Sequence, residues 1–131
     1  MDKLNVAVVG AGRRAGGSWL PAINTMNDQL NLLAVCNTGA PRGEEQAKKY
    51  DVNWYSDIEK MLDKEKPDFV AIIINPGQTH IVAKAVLERG ISMITETPVA
   101  STLEDADMLI SLAEEKGAHI EVAENLYRMP R

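Results

Sequence analysis

Cysteine occurs once in these 131 residues, as Cys36, and histidine twice, as His80 and His119. One cysteine excludes an internal disulfide and suits a reducing compartment. Without a Cys–Cys or His–Cys cluster there is no ligand set for a dedicated zinc site, so no metal is expected. Basic residues are scattered: 14 Lys and Arg against 19 Asp and Glu leave a formal charge of −5, which argues against a general nucleic-acid surface. Long apolar runs are missing too. The longest, residues 69–74, is far short of the ~20 residues a membrane helix needs. Met1-Asp2-Lys3 leads straight into strand-like sequence without a signal-peptide pattern. The expectation is a cytoplasmic protein with no membrane or nucleic-acid partner. Repeats, low-complexity tracts and linkers are also lacking, and the length leaves no room for a second domain of ordinary size.

What the chain does have is alternation. Short apolar, strand-like runs at 4–9, 31–36, 68–74, 91–95 and 119–122, with a weaker one at 52–55, alternate with helix-like segments. Several runs are continuously apolar, as in strands buried on both sides. This pattern predicts one α/β domain: a doubly wound, mainly parallel sheet with helices on both faces. Ser56-Asp57-Ile58-Glu59 and Ser101-Thr102-Leu103-Glu104 each fit a capping box with the serine as cap. Gly90 and Gly117 follow segments 78–89 and 102–116, where a left-handed terminus is wanted. Ala106, Leu109, Ile110 and Ala113 fall on one helical face and are expected against the sheet. Pro41-Arg42-Gly43 reads as a local turn before a helix.

The first strand, Val6-Ala7-Val8-Val9, runs into Gly10-Ala11-Gly12-Arg13-Arg14-Ala15 and then into helix-like sequence. Gly10 allows a tight turn, Gly12 lets a pyrophosphate approach the backbone, and Ala15 permits close helix–strand packing, as in a Rossmann-type dinucleotide site. The helix would direct unpaired N–H groups and its positive end at the anion. In such sheets ligands bind beyond the carboxyl ends of the strands, which selects the loops at 10–14, 37–42, 75–80, 96–98 and 124–128. After the second strand, where an acidic residue commonly holds the adenosine ribose of NAD, the chain has Asn37. No carboxylate opposes a 2′-phosphate there, and Arg13, Arg14 or Arg42 could neutralise one; the cofactor is NAD or NADP, tilted slightly to NADP. Asn75-Pro76-Gly77-Gln78-Thr79-His80 could cover the nicotinamide ribose; alternatively Thr79 or Gln78 caps the helix and His80 is an ordinary surface histidine. Glu96-Thr97-Pro98 ends the next strand, and the proline holds Thr97 extended or in a turn.

Taken in order, Val8-Val9-Gly10-Ala11-Gly12, Val35-Cys36-Asn37, the run from Asp68 to Asn75-Pro76, Thr79-His80, Leu87-Glu88-Arg89-Gly90, Glu96-Thr97-Pro98 and Asn125-Leu126-Tyr127-Arg128 resemble the nucleotide-binding half of the glucose–fructose oxidoreductase/inositol dehydrogenase (Gfo/Idh/MocA) family. The resemblance covers essentially the whole chain. It implies NAD(P)-dependent redox chemistry on a sugar, cyclitol or related CH–OH group. The cofactor-binding residues it and the loops select are Gly10, Gly12, Arg13, Arg14, Asn37, Asn75, Pro76, His80 and Glu96. Two departures qualify it. The family usually has Glu-Lys-Pro where this chain has Glu96-Thr97-Pro98, and a threonine hydroxyl neither carries the charge nor titrates near neutrality. The family also continues into a substrate domain, absent from these residues, so no catalytic residue is assigned and the chain alone is expected to be inactive. The alternatives are a non-catalytic dinucleotide-sensing or protein-interaction module, or a domain for another nucleotide-bearing ligand such as a nucleotide sugar. Loss of the second domain would expose Leu126, Tyr127 and Met129, an apolar patch expected to drive homo-oligomerisation.

Overall fold

A computed structural model describes residues 2–39 and 41–130, leaving out the side chains of Leu126 and Arg128. Six parallel strands, β1 (Leu4–Val9), β2 (Leu30–Cys36), β3 (Asn53–Tyr55), β4 (Phe69–Ile72), β5 (Ser92–Glu96) and β6 (Ile120–Ala123), form one sheet in the order β3-β2-β1-β4-β5-β6. This is the expected Rossmann-type sheet, and the order reverses between β1 and β4. The helices are α1 (Leu20–Thr25), α2 (Arg42–Lys49), α3 (Ile58–Glu65), α4 (Pro76–Glu88), α5 (Leu103–Lys116) and α6 (Asn125–Arg128).

The period of two along β1 explains the double-sided core. Ala7 and Val9 point to one face and join Val70, Ile72 and Met93 beneath Leu62, Val86, Leu87 and Leu109 of α3, α4 and α5. Val6 and Val8 point to the other and join Val35, Ala71, Leu20, Ile23 and Ala47. Since both faces are covered, these strands carry no polar alternation.

Several details differ from the sequence-based expectations. Both capping boxes sit one residue later. Asp57 caps α3 by accepting hydrogen bonds from the Glu59 and Lys60 amides at 2.9 and 3.2 Å, and Thr102 caps α5 by accepting from the Asp105 amide at 3.1 Å. A carboxylate that satisfies two amides outcompetes the neighbouring Ser56 hydroxyl. In α5 the reciprocal pairing runs through side chains, the Thr102 hydroxyl donating to Asp105 at 2.8 Å. Helix α4 begins earlier than expected, with Pro76 in its first turn and Asn75 as the cap, accepting from Gly77 N at 3.1 Å; neither Gln78 nor Thr79 caps it. Ile110 is 52% exposed, so the buried face of α5 is carried by Leu109 and Ala113. The 52–55 and 68–74 runs yield the shorter strands β3 and β4.

Gly90 (φ +69°) and Gly117 (φ +67°) take the left-handed conformation expected of them. Tyr127 and Met129 are 89% and 59% exposed, while Leu126, the third residue of the expected patch, lies outside the described side chains.

Candidate functional site

The reversal of strand order opens a cleft at the carboxyl ends of β1 and β4. Its volume is about 630 Å³, and its walls come from the glycine-rich turn, the ends of β2 and β5, and the start of α4. Gly10 has φ +114°, and a Cβ there would sit 2.0 Å from the Ile73 carbonyl oxygen. Only glycine meets both demands. The turn is held by Gly10 N donating to Cys36 O at 2.8 Å and Ile73 N donating to Val9 O at 2.8 Å. Gly12 is the opposite case: a Cβ added to it meets nothing within 4 Å, so a side chain there would occupy space that the fold itself leaves empty.

The helical segment after the turn is not a plain α-helix. Residues Ala15–Trp19 form a π-helical stretch, closed by Leu20 N donating to Ala15 O, before α1 begins. Such widened turns are uncommon and concentrate at functional sites. Gly16 N donates to Gly12 O at 2.9 Å; the first amides of a helix have no upstream carbonyl of their own and are donors for an anion. Ala15 is buried, as close packing on the strand requires.

Of the nine residues expected at a cofactor, the fold gathers seven around the cleft: Gly10, Gly12, Arg13, Arg14, Asn37, Asn75 and Glu96. Pro76 and His80 lie on α4 outside the lining, and the buried Nδ1 of His80 has no hydrogen-bond partner among the described residues. Arg42, offered as a neutralising cation, is also outside the lining. Asn37 N donates to Tyr55 O at 2.9 Å and its side-chain amide donates to Gly39 O at 2.7 Å, which fixes the position where an acidic residue would sit.

Glu96 is the electrostatic centre of the mouth. Its Oε1 accepts from Arg14 Nε and from Trp19 Nε1, both at 2.6 Å. Burial pushes the Glu96 carboxyl up, but the Arg14 and Trp19 hydrogen bonds and the Arg14 charge outweigh it and hold it below the usual range. The bond to Trp19 gave no sequence signal beyond the need of a half-buried indole N–H for an acceptor. Gln78, Val82, Thr38, Ile74 and Cys36 also line the cleft. Burial, reinforced by the Asp57 charge, pushes the Cys36 thiol up to about 11, so it is a neutral, apolar wall. The Thr97–Pro98 peptide is cis.

The comparisons agree with this fold. Residues 4–124 match the GFO_IDH_MocA family, "Oxidoreductase family, NAD-binding Rossmann fold". D-glucoside 3-dehydrogenase of Escherichia coli is 33% identical over 116 residues, covering 87% of this chain and 32% of that protein. An uncharacterized protein of Saccharomyces cerevisiae is 30% identical over 135 residues, covering 99% and 38%. Thus the chain spans about a third of the length of these relatives. Among solved structures, D-galactose-1-dehydrogenase of Rhizobium etli superposes with a TM-score of 0.78 at 31% identity, over 92% of this chain and 37% of that one. GenD2 from gentamicin A biosynthesis, in complex with NAD, reaches 0.91 at 22% identity, over 99% and 37%, a likeness of fold.

Proposed function

The chain belongs to the GFO_IDH_MocA oxidoreductase family, as its NAD-binding Rossmann domain, and from that premise we propose how its cleft is used. The pyrophosphate of a nicotinamide dinucleotide lies over Gly12 and the first amides of the following helix, with Asn37 and Thr38 at the adenosine ribose and Asn75 and Glu96 toward the nicotinamide end. The observation that carries this reading is the pair of glycines: Gly10 is demanded by the fold, whereas Gly12 is demanded by nothing within 4 Å and makes sense as clearance for a ligand. When bound, such a cofactor supplies hydride transfer; the residues here bind, orient and shield it. Two of the relatives are named for dehydrogenation of a glucoside or galactose, which supports a sugar, cyclitol or related CH–OH group as the reacting partner. Groups beyond these residues would hold that partner, so turnover by these residues alone is expected to be negligible. A soluble, reducing cytoplasm suits the single buried thiol.

With Arg14 tied to Glu96, Arg13 is the guanidinium left beside the cleft for a 2′-phosphate, and Asn37 repels neither ribose form. The expected bias to NADP is therefore small, less than about tenfold. Calorimetric titration with NAD, NADH, NADP and NADPH tests the assignment: saturable binding is expected for the dinucleotides, and no binding by any of the four at millimolar concentration would overturn it.

Thr97 favours a second reading, a dinucleotide-sensing module that keeps the cleft and lacks the lysine. Dinucleotide binding that survives alongside absent polyol oxidation in the longest natural form of the chain, unimproved by Thr97→Lys, would support it. The exposed Tyr127 and Met129 further suggest self-association, which a strictly monomeric light-scattering mass at high concentration would exclude.

A further inference from the structure

The π-helical turn at Ala15–Trp19 closes with Leu20 N donating to Ala15 O. A turn closed over five residues sets the fourth and fifth to either side of the first, so Trp19 and Leu20 straddle Ala15. Leu20 drops into the core, fully buried in the same cluster as Ala15. Trp19 reaches instead to the end of β5, where its Nε1 donates to Glu96 Oε1 at 2.6 Å. Arg14 Nε donates to the same oxygen, also at 2.6 Å. Two donors satisfy Glu96 Oε1, while Oε2 carries no hydrogen bond among the described residues. A carboxylate accepts on both oxygens, so Glu96 brings one committed and one uncommitted acceptor to the cleft that it lines.

We propose that Trp19 is a positioning residue of the dinucleotide site: it fixes Glu96 through Oε1 so that Oε2 accepts a hydrogen bond from the nicotinamide nucleoside, either from a ribose hydroxyl or from the carboxamide N–H. The inference rests on the dinucleotide reading of the cleft. The place of Glu96 in the sheet sets which half of the cofactor it meets. A dinucleotide spans the point where the strand order reverses, with one nucleoside on each side. Asn37 follows β2, on the side where the adenosine ribose is held, and Glu96 ends β5, beyond β4 on the other side. The glycine-rich turn follows β1, between the two. Ribose hydroxyls and a carboxamide both offer donors, and an ionised carboxylate is an acceptor only. Anchoring Oε1 removes rotamer freedom from Glu96 before the ligand arrives, and that is how a neighbour without cofactor contact strengthens binding.

ADP carries the adenosine and pyrophosphate of NADH without the nicotinamide nucleoside. Calorimetric affinities of the 131-residue chain for the two ligands therefore give a ratio that reports the nicotinamide side alone. Trp19→Phe keeps an aromatic ring and removes the N–H donor; it should lower the ratio of NADH to ADP affinity roughly fivefold, with ADP affinity unchanged. Glu96→Gln puts an amide in place of an acceptor and should lower the ratio roughly tenfold. Because Trp19 acts through Glu96, the double variant should lose no more than Glu96→Gln alone. ADP-ribose then assigns the donor: a loss like that of NADH selects the ribose hydroxyl, a response like that of ADP selects the carboxamide, and both support the proposal. Three results would overturn it: an unchanged ratio in Trp19→Phe, equal losses for ADP and NADH, which would make Trp19 a packing residue only, or losses that multiply in the double variant. Should Trp19→Phe fail to fold, replacing Trp19 by benzothienylalanine, which keeps the shape of the indole without its N–H, carries the same expectation. If wild type binds neither ADP nor NADH, the dinucleotide reading fails and takes this proposal with it; binding of both with a ratio indifferent to Trp19→Phe defeats the proposal alone.

Discussion

Two arginines at opposite ends of the sheet use the same chemistry for different purposes. Arg89, at the end of α4, donates through Nε to Asp63 at 2.9 Å, through one terminal nitrogen to the Ala85 carbonyl at 2.9 Å, and through the other to Glu59. Every nitrogen of its guanidinium is committed to tying α4 to α3. Among the described residues Arg14 donates once, to Glu96, and it stays half-exposed at the cleft. The glycines repeat the contrast, since Gly10 is required by its own backbone and Gly12 is not. On the proposed reading, Arg89 and Gly10 serve the fold, whereas Gly12 and the terminal nitrogens of Arg14 are left available to a ligand at the cleft.

The largest expected effect would break the contrast on the structural side. Gly10→Ala combines a positive φ with a backbone clash and should cost about 3 kcal/mol or more; a urea midpoint close to wild type would show that the turn is softer than its geometry implies. Next comes Arg89→Ala. It strands Asp63 and Glu59 at an exposed surface and should cost about 1 kcal/mol without changing dinucleotide affinity, as paired unfolding and binding curves would reveal. Glu96 supplies a pH test. Its carboxyl is held below its unfolded value, so the stabilisation is present above the unfolded value and disappears as pH falls through the lower, folded one. The gap in stability between wild type and Glu96→Gln should therefore close on acidification below roughly pH 4, and in a Trp54→Phe background the emission of Trp19 should change over the same range. A gap independent of pH would deny the charged pairing. Smallest of all, Arg14→Ala should alter stability by less than about 0.5 kcal/mol; a larger loss would place Arg14 with Arg89 among the structural residues.

The sheet was legible because continuous apolar runs such as Val6–Val9 and Phe69–Ile72 report burial on both faces directly. The glycine turn was legible because its demands are local. Helix caps were misplaced by one residue at Ser56 and Ser101, where two adjacent cap-forming side chains compete and only the incoming backbone decides between them. Ile110 was misassigned because a period of 3.6 locates a stripe without fixing its edge. The Glu96–Trp19 bond joins residues 77 apart in sequence, and nothing in either local stretch encodes the pairing. His80 and Pro76 were selected by proximity to a strand end, but on α4 it is Gln78 and Val82, one helical turn apart, that line the cleft, and Pro76 and His80 fall outside that face.

The central claim is that Gly12 is empty for a ligand's sake. Titrating NADH into wild type and Gly12→Val, with urea unfolding of both, tests it most directly. The account predicts stabilities within about 0.5 kcal/mol and a dinucleotide affinity at least roughly tenfold weaker in the variant, equivalent to about 1.4 kcal/mol. Equal affinity in two equally stable proteins would contradict it.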